Sequence, residues 1–541
     1  MKYDFHKTRA LIVDDFSQMR KAFRHMLENF GLINIDEASN GSKAVALMQK
    51  NHYDLVLCDY NLGEDEKNGQ QILEEVKHRN FVGYSTIFIM ITAEASTPWV
   101  MGAVEHLPDD YLVKPITKDV LRLRLQKLTD KKKSLSPIQQ AIKQKDFDLA
   151  IEACDAALEK DAKNKFEIQR IRSDIYLRMG NFTAAERTYE MVMEERPLPW
   201  AMLGLGQVQF YQENYSKAVS IFEGIIAKND SYMPAYDWLS KTLKAAGDTS
   251  SAQEILGRAI KHSPISLHRQ KEMGELAYTN EDFETAARSY RAAVRLGNQS
   301  IFREATDFTG LAKSLAHKGT SMEAMKIIES AKREFKRDDA ALCETSMSES
   351  IIYNKMGLAT EAKEAAERAN DHRMRTTGNS LSDTSLEFAK ACFECGSDEL
   401  AEDILKDVIK SNHDNKIIAN KVGQIFEEAG LGESGRELIS SVRKEMVTLN
   451  NRGVQLVEEN KLDEAVELFI EAAEGLPLNQ TINLNAAQAL AQHIKQNGLR
   501  NDYLEKAREY LGRVESQTPY SKKLVSITRA LSKLALEPQR Y

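Results

Sequence analysis

Cysteine, proline and long apolar runs are all scarce in this sequence, and each scarcity excludes something. Five cysteines among 541 residues are too few for a disulfide framework and fit a reducing compartment. No stretch approaches the ~18 consecutive apolar residues of a membrane span. The opening MKYDFHKTRALIVDD has no apolar signal core, so the chain reads as cytoplasmic. Eleven prolines leave room for a mostly helical chain. Basic residues are not in excess: the formal net charge is −8 and the pI about 5.9. Nothing in that balance calls for nucleic acid as a partner.

What is present begins with Leu55 to Gly69, LVLCDYNLGEDEKNG. Leu55-Val56-Leu57-Cys58 is an apolar run suited to a strand buried on both faces, and it stops at Asp59. A carboxylate there lies where parallel α/β sheets bind ligands. The flanking sequence alternates in the same way over residues 8–128. Ala10-Leu11-Ile12-Val13 ends in Asp14-Asp15, and a helix comes next with Met19, Phe23, Met26 and Leu27 on one stripe. Ile33–Ala38 reads as a second strand. Ala44, Val45, Leu47 and Met48 mark a second helix, and a third lies around Gln70 to Lys77. Ile87–Ile91 is a fourth strand ending in Thr92, and Thr97-Pro98 signals a helix start. Tyr111–Val113 is a fifth strand ending in Lys114-Pro115, before a last helix over 117–128. Such alternation predicts a doubly wound, flavodoxin-like parallel sheet.

Asp14, Asp15, Asp59, Thr92 and Lys114 then fall together at strand ends. Three carboxylates and a strand-end carbonyl suit Mg²⁺ holding a phosphate. One carboxylate would serve as nucleophile and form an acyl phosphate. Lys114 supplies a point positive charge, and the Thr92 hydroxyl a donor to a phosphoryl oxygen.

Residues 8–128 resemble the CheY-like receiver domains of bacterial response regulators, most closely in VDDFSQMRKAFRHML from Val13 to Leu27. The resemblance implies Asp59 as phosphoacceptor, with Asp14 and Asp15 holding Mg²⁺ and Asn61 offering its backbone carbonyl. It assigns Thr92 as the switch hydroxyl, Tyr111 as the switch aromatic and Lys114 as the lysine before proline. The Thr92–Tyr111 and Thr92–Lys114 spacings, 19 and 22 residues, are those of the family. Asn61 and Glu94 flank the path of hydrolytic water and match fast-hydrolysing members. One departure is the acidic loop Glu64-Asp65-Glu66, expected as a surface insertion.

Lys131-Lys132-Lys133 and Ser-Leu-Ser-Pro then read as a linker over 130–136. Beyond it the sequence repeats itself. Gly206, Ser240 and Gly274 are 34 apart, as are Ala218, Ala252 and Ala286, and Phe222, Leu256 and Tyr290. Small residues let paired helices approach, and a large one fills the gap. The chain here resembles the tetratricopeptide (TPR) family. Equivalent alanines fall at Ala150, Ala185, Ala324, Ala362, Ala401, Ala465 and Ala507, with a weaker unit at Gly435 and a strong copy from Asn451. About eleven units fill 137–520, and 521–541 forms a capping helix and tail. The spacings of 38, 38 and 39 from Ala286 to Ala401 require longer loops or helices. Cys392-x-x-Cys395 has no second CxxC beside it, and Cys392 falls on an apolar stripe, against a zinc site with His413.

The resulting expectation is a multidomain response regulator, with a receiver at 1–129 and an output region of repeats. Its phosphodonor would be a histidine kinase. Its repeats would bind a protein partner, a kinase or a second regulator. No separate catalytic domain, nucleic-acid module or membrane span is expected. The alternative is an adaptor or scaffold whose receiver is a phosphate sink. The receiver face formed by the helix after Thr97, the Tyr111 strand and the last helix, with Trp99, is expected to dock on the early repeats or a second receiver.

Overall fold

The computed structural model describes residues 8–63, 66–93, 107–160, 162–376, 384–515 and 521–536. Glu64, Asp65, Glu94 and the Thr97–Trp99 helix start lie outside them.

The N-terminal strands are β1 (Arg9–Val13), β2 (Asn34–Ala38), β3 (Leu55–Asp59), β4 (Ile87–Thr92) and β5 (Asp110–Val113). They form one parallel sheet in the order β2-β1-β3-β4-β5. Helices α1 (Ser17–Glu28), α2 (Gly41–Lys50) and α3 (Gly69–His78) connect them. Side chains alternate across a strand, so β1 and β3 feed two separate cores. Ile12 and Leu57 join Phe23, Leu27, Ile89 and Leu125 on one face. Leu11, Val56 and Cys58 join Met48, Leu73, Phe88 and Met90 on the other. Leu57 and Ile89 are wholly out of water, worth roughly 1.5–3 kcal/mol each.

Helix α4 runs unbroken from Lys118 to Lys143, which corrects the expected linker at 130–136. The lysine triplet is a run of good helix formers. Lys131 pairs with Glu167 at 3.1 Å and Lys132 with Asp109 at 2.8 Å. Pro137 sits inside the helix. It removes one backbone donor, but Leu135, Ile138 and Ala141 are buried around it. The two parts of the chain are therefore joined by a shared helix.

Behind it stack antiparallel helix pairs. These begin with α5 (Phe147–Lys160), α6 (Lys165–Arg178), α7 (Phe182–Glu195), α8 (Pro199–Tyr211) and α9 (Tyr215–Lys228). The small–large pairing predicted from the 34-residue spacing is what packs them. A Cβ on Gly206 would lie 2.3 Å from the Phe222 ring, and one on Gly453 2.3 Å from Phe469. The extra residues between Ala286 and Ala401 lie partly in a loop, 297–304, and partly in two 17-residue helices, Asp339–Lys355 and Ala359–Arg375. The weak unit at Gly435 and the strong copy from Asn451 share one 27-residue helix, Gly432–Glu458. The last helix, Lys522–Leu536, buries Leu524, Ile527 and Leu531. Its Arg529 reaches Asp148 of α5 at 2.7 Å, bringing the end of the array to its start.

Candidate functional site

The site sits at the carboxyl ends of β1, β3, β4 and β5. Parallel strands of matched register deliver their last residues to one edge: Val13 pairs with Cys58, Asp59 with Ile91, and Thr92 with Val113. Asp14 and Asp59 are almost fully buried and Asp15 half-buried. One carboxylate oxygen from each lies within 4.8 Å of the others, a group that could hold a metal ion. Lys114 stands between two of them. Its Nζ donates to Asp59 Oδ2 at 2.8 Å and Asp14 Oδ2 at 3.1 Å. Asp14 Oδ1 is occupied, accepting from the Phe16 N–H at 2.9 Å.

Burial pushes the Asp59 carboxyl upward, as do the charges of Asp14 and Asp15, while Lys114 pulls it down; the net direction is up. Burial works against the Lys114 ammonium, but its bonds to Asp59 and Asp14 outweigh it, and its pKa is raised. Three carboxylates against one ammonium leave the cluster short of positive charge. The orphan is Asp15 Oδ1, shielded from solvent and without a hydrogen-bond partner. An unpaired buried carboxylate oxygen is costly, and a hard divalent cation with oxygen ligands would satisfy it. The donor set thus fits Mg²⁺.

The other predicted residues cluster around this centre. Thr92 ends β4, nearly buried, and its carbonyl accepts from the Lys114 N–H at 2.8 Å. The Lys114–Pro115 peptide bond is cis. Tyr111 lies on β5 with a buried hydroxyl that has no partner, and burial pushes that hydroxyl up to about 12. Asn61 is exposed in the loop after β3, where its side chain accepts from the Gly63 N–H at 3.2 Å. The sequence did not point to Arg20. Its guanidinium donates to the carbonyls of Asp14 and Asp15 at 2.7 and 3.0 Å, fixing the turn that aims both carboxylates. On a helix read for its apolar stripe, an arginine on the polar side gives no distinguishing signal.

Elsewhere, Cys392 is buried in an apolar core and burial raises its thiol. Cys395 donates to the Cys392 carbonyl, and His413 bonds the Asn479 side chain at 3.0 Å. These side chains have structural partners. No described helix is long and apolar enough to cross a membrane.

Of the expected docking face, the helix after Thr97 lies outside the described residues, and the last helix runs on into the repeats, where Lys131 pairs with Glu167 at 3.1 Å. Val113, Val120 and Leu123 remain exposed. A further contact is made by α3: Gln71 Nε2 donates to the Asn298 carbonyl at 2.9 Å, and His78 stacks edge-on against Phe302.

Residues 10–126 match the family described as response regulator receiver domain, and residues 171–234 and 239–301 match tetratricopeptide repeat. Chemotaxis protein CheY-3 of Vibrio cholerae is 33% identical over 127 residues, 23% of this chain and 92% of that protein. Chemotaxis protein CheY of Pseudomonas aeruginosa is 29% identical over 123 residues, 23% of this chain and 97% of its own. Among solved structures, the receiver domain of the Francisella response regulator 1452 is 25% identical, with a TM-score of 0.21, covering 23% of this chain and 98% of that one. A parallel five-stranded sheet with its acidic strand-end cluster, followed by helix pairs packed small against large, agrees with these matches: the chain belongs to the response-regulator receiver family, and carries tetratricopeptide repeats behind its receiver domain.

Proposed function

We propose that this response regulator accepts a phosphoryl group on Asp59 from a histidine kinase and signals through protein contacts of its repeats. The observation that carries the reading is the Lys114 ammonium bridging Asp59 and Asp14, beside the orphaned oxygen of Asp15. Asp59 Oδ attacks phosphorus, and the bond to the donor's leaving group breaks. Lys114 then pairs with a phosphoryl oxygen in place of the Asp59 oxygen. The Thr92 hydroxyl donates to another, and Tyr111, whose hydroxyl has no partner to lose, turns inward behind it. Asp14, Asp15, Asp59 and the Asn61 carbonyl would hold Mg²⁺, which neutralises charge on the transferring group. Asn61 and Glu94 flank the water that removes the phosphoryl group, giving a lifetime of minutes or less.

The receiver is assigned to 1–129, the repeats to 137–520 and the cap to 521–541, with the intervening residues helical. The exposed Val113, Val120 and Leu123 leave the Tyr111 side of the receiver open to a protein partner. The test is a pull-down comparing beryllofluoride-treated protein with Asp59→Asn. A partner captured in one state and not the other supports receiver control of the repeats. Equal capture supports the scaffold reading.

A further inference from the structure

Asp14 and Asp15 lead from β1 into α1. Asp14 is held by its side chain, through the Phe16 N–H at 2.9 Å and Lys114 at 3.1 Å. Asp15 has no such hold on Oδ1, which is buried without a partner. The direction of that carboxylate is therefore set by the backbone on either side of the Asp15 Cα, and one side chain fixes both sides. Arg20 Nη1 donates to the Asp14 carbonyl at 2.7 Å and to the Asp15 carbonyl at 3.0 Å. The first carbonyl belongs to the peptide plane before the Asp15 Cα, the second to the plane after it. Peptide groups are planar, so holding both oxygens fixes the two backbone dihedrals of Asp15 and the direction of its Cβ.

Arg20 is itself anchored. Its side chain is 15% exposed, and its Nε donates to Glu37 Oε2 at 3.3 Å. Glu37 lies on the edge strand β2, opposite Ile12 of β1. The other Glu37 oxygen accepts from Arg24 Nε at 2.6 Å, and Arg24 Nη2 donates to the Ile35 carbonyl at 2.9 Å. The Arg20 guanidinium is thus tied to β2 at one end and to the Asp14–Asp15 backbone at the other. Serving a carboxylate and two carbonyls at once takes the rigid, many-donor fork of an arginine.

We propose that Arg20 is a positioning residue for the cation: it holds the Asp15 carboxylate where Mg²⁺ binds and so sets the affinity of the site. The inference rests on reading Asp14, Asp15 and Asp59 as the Mg²⁺ cluster. Groups that orient a metal ligand without touching the metal typically change its affinity by about 10–100-fold. The charge of Arg20 works in the opposite sense. A fixed guanidinium beside the cluster repels a divalent cation, so losing that charge alone would tighten binding. Positioning and through-space charge therefore predict opposite signs for the same substitution.

The experiment titrates the full chain with Mg²⁺ by calorimetry. Four proteins are compared: wild type, Arg20→Met, Arg20→Lys and Arg24→Gln. Methionine keeps an apolar stem and removes every donor. Lysine keeps the charge and gives up the fork, and it decides the matter if the methionine variant does not fold. Arg24→Gln removes an equal charge from Glu37 and leaves both carbonyls with Arg20. Circular dichroism and thermal unfolding in EDTA check the fold of each without metal. The expected result is Mg²⁺ binding weakened by about tenfold or more in Arg20→Met, by less in Arg20→Lys, and not at all in Arg24→Gln. Equal or tighter binding in folded Arg20→Met, unchanged binding in Arg20→Lys, or the same loss in Arg24→Gln would overturn the inference and leave the Mg²⁺ site standing. A wild type without saturable Mg²⁺ binding would overturn both.

Discussion

Gln71 and Asn298 are 227 residues apart in sequence and joined by one hydrogen bond: the Gln71 side-chain amide donates to the Asn298 carbonyl at 2.9 Å. The same side chain closes the first turn of α3, because its Oε1 accepts from the Asn68 N–H at 3.1 Å. That turn rests on the acceptor strand. The Gly69 N–H donates to the Tyr60 carbonyl at 2.8 Å, and a Cβ on Gly69 would lie 2.5 Å from the Asp59 carbonyl oxygen. A continuous path of backbone and one side chain therefore links Asp59 to the repeat array.

Two substitutions separate the roles of Gln71. Gln71→Ala removes the capping box and the contact with Asn298, and should cost about 1 kcal/mol. Gln71→Glu keeps an oxygen for the Asn68 N–H but loses the donor. Both should speed hydrogen exchange in 297–304, whereas exchange at the start of α3 should rise only in the alanine variant. Unchanged exchange in 297–304 with both variants would mean that the contact carries no coupling.

The loop that Gln71 touches is anchored by Lys271, which donates to the Phe302 carbonyl at 2.6 Å and pairs with Asp307 at 3.1 Å. Burial raises the Asp307 carboxyl above its ordinary range, and Lys271 and the Glu304 N–H offset this only in part. A carboxyl raised on folding stabilises the fold below its unfolded value of about 4. That stabilisation is lost as pH rises through the folded value. Asp307→Asn should therefore flatten the fall in urea midpoint on the alkaline side of pH ~4. A wild-type and variant pair with parallel profiles would show that Asp307 is not the group responsible.

Mg²⁺ should bind the acidic cluster and raise the thermal midpoint of the wild type. Asp15→Asn leaves Lys114 with both of its partners and removes one charge from the cation site. It should weaken Mg²⁺ binding by about tenfold or more, ~1.4 kcal/mol. Calorimetry on both proteins measures this, and equal affinities would remove Asp15 from the ligand set.

How much of the molecule is readable from sequence depends on the range of the signal. The strands, the strand-end residues Asp14, Asp15, Asp59, Thr92 and Lys114, and the 34-residue frame are written in local periodicity, and the structure places them as expected. Helix breaks are written less clearly. Ser-Leu-Ser-Pro has the composition of a boundary, yet Leu135 and Ile138 are held by burial and the helix continues through it. Inside Gly432–Glu458 the internal glycines, Gly435 and Gly453, mark no break but admit the Phe426 and Phe469 side chains. Turns that close the first helix of a unit use Gly247 at φ 89° in one place and Glu281 at φ 60° in another, so glycine alone does not locate them. The side of the receiver that meets the repeats has no local signal, because it depends on the direction of α4 and on contacts more than 200 residues apart.

The most direct test of the central claim is intact-mass spectrometry of the full chain after incubation with Mg²⁺ and a small acyl-phosphate donor. The wild type should gain the mass of one phosphoryl group, and Asp59→Ala should gain none while keeping its folded circular dichroism spectrum. A phosphoryl group on Asp59→Ala, or a folded wild type that stays unmodified with acyl phosphate and with phosphorylated kinase alike, would contradict the account.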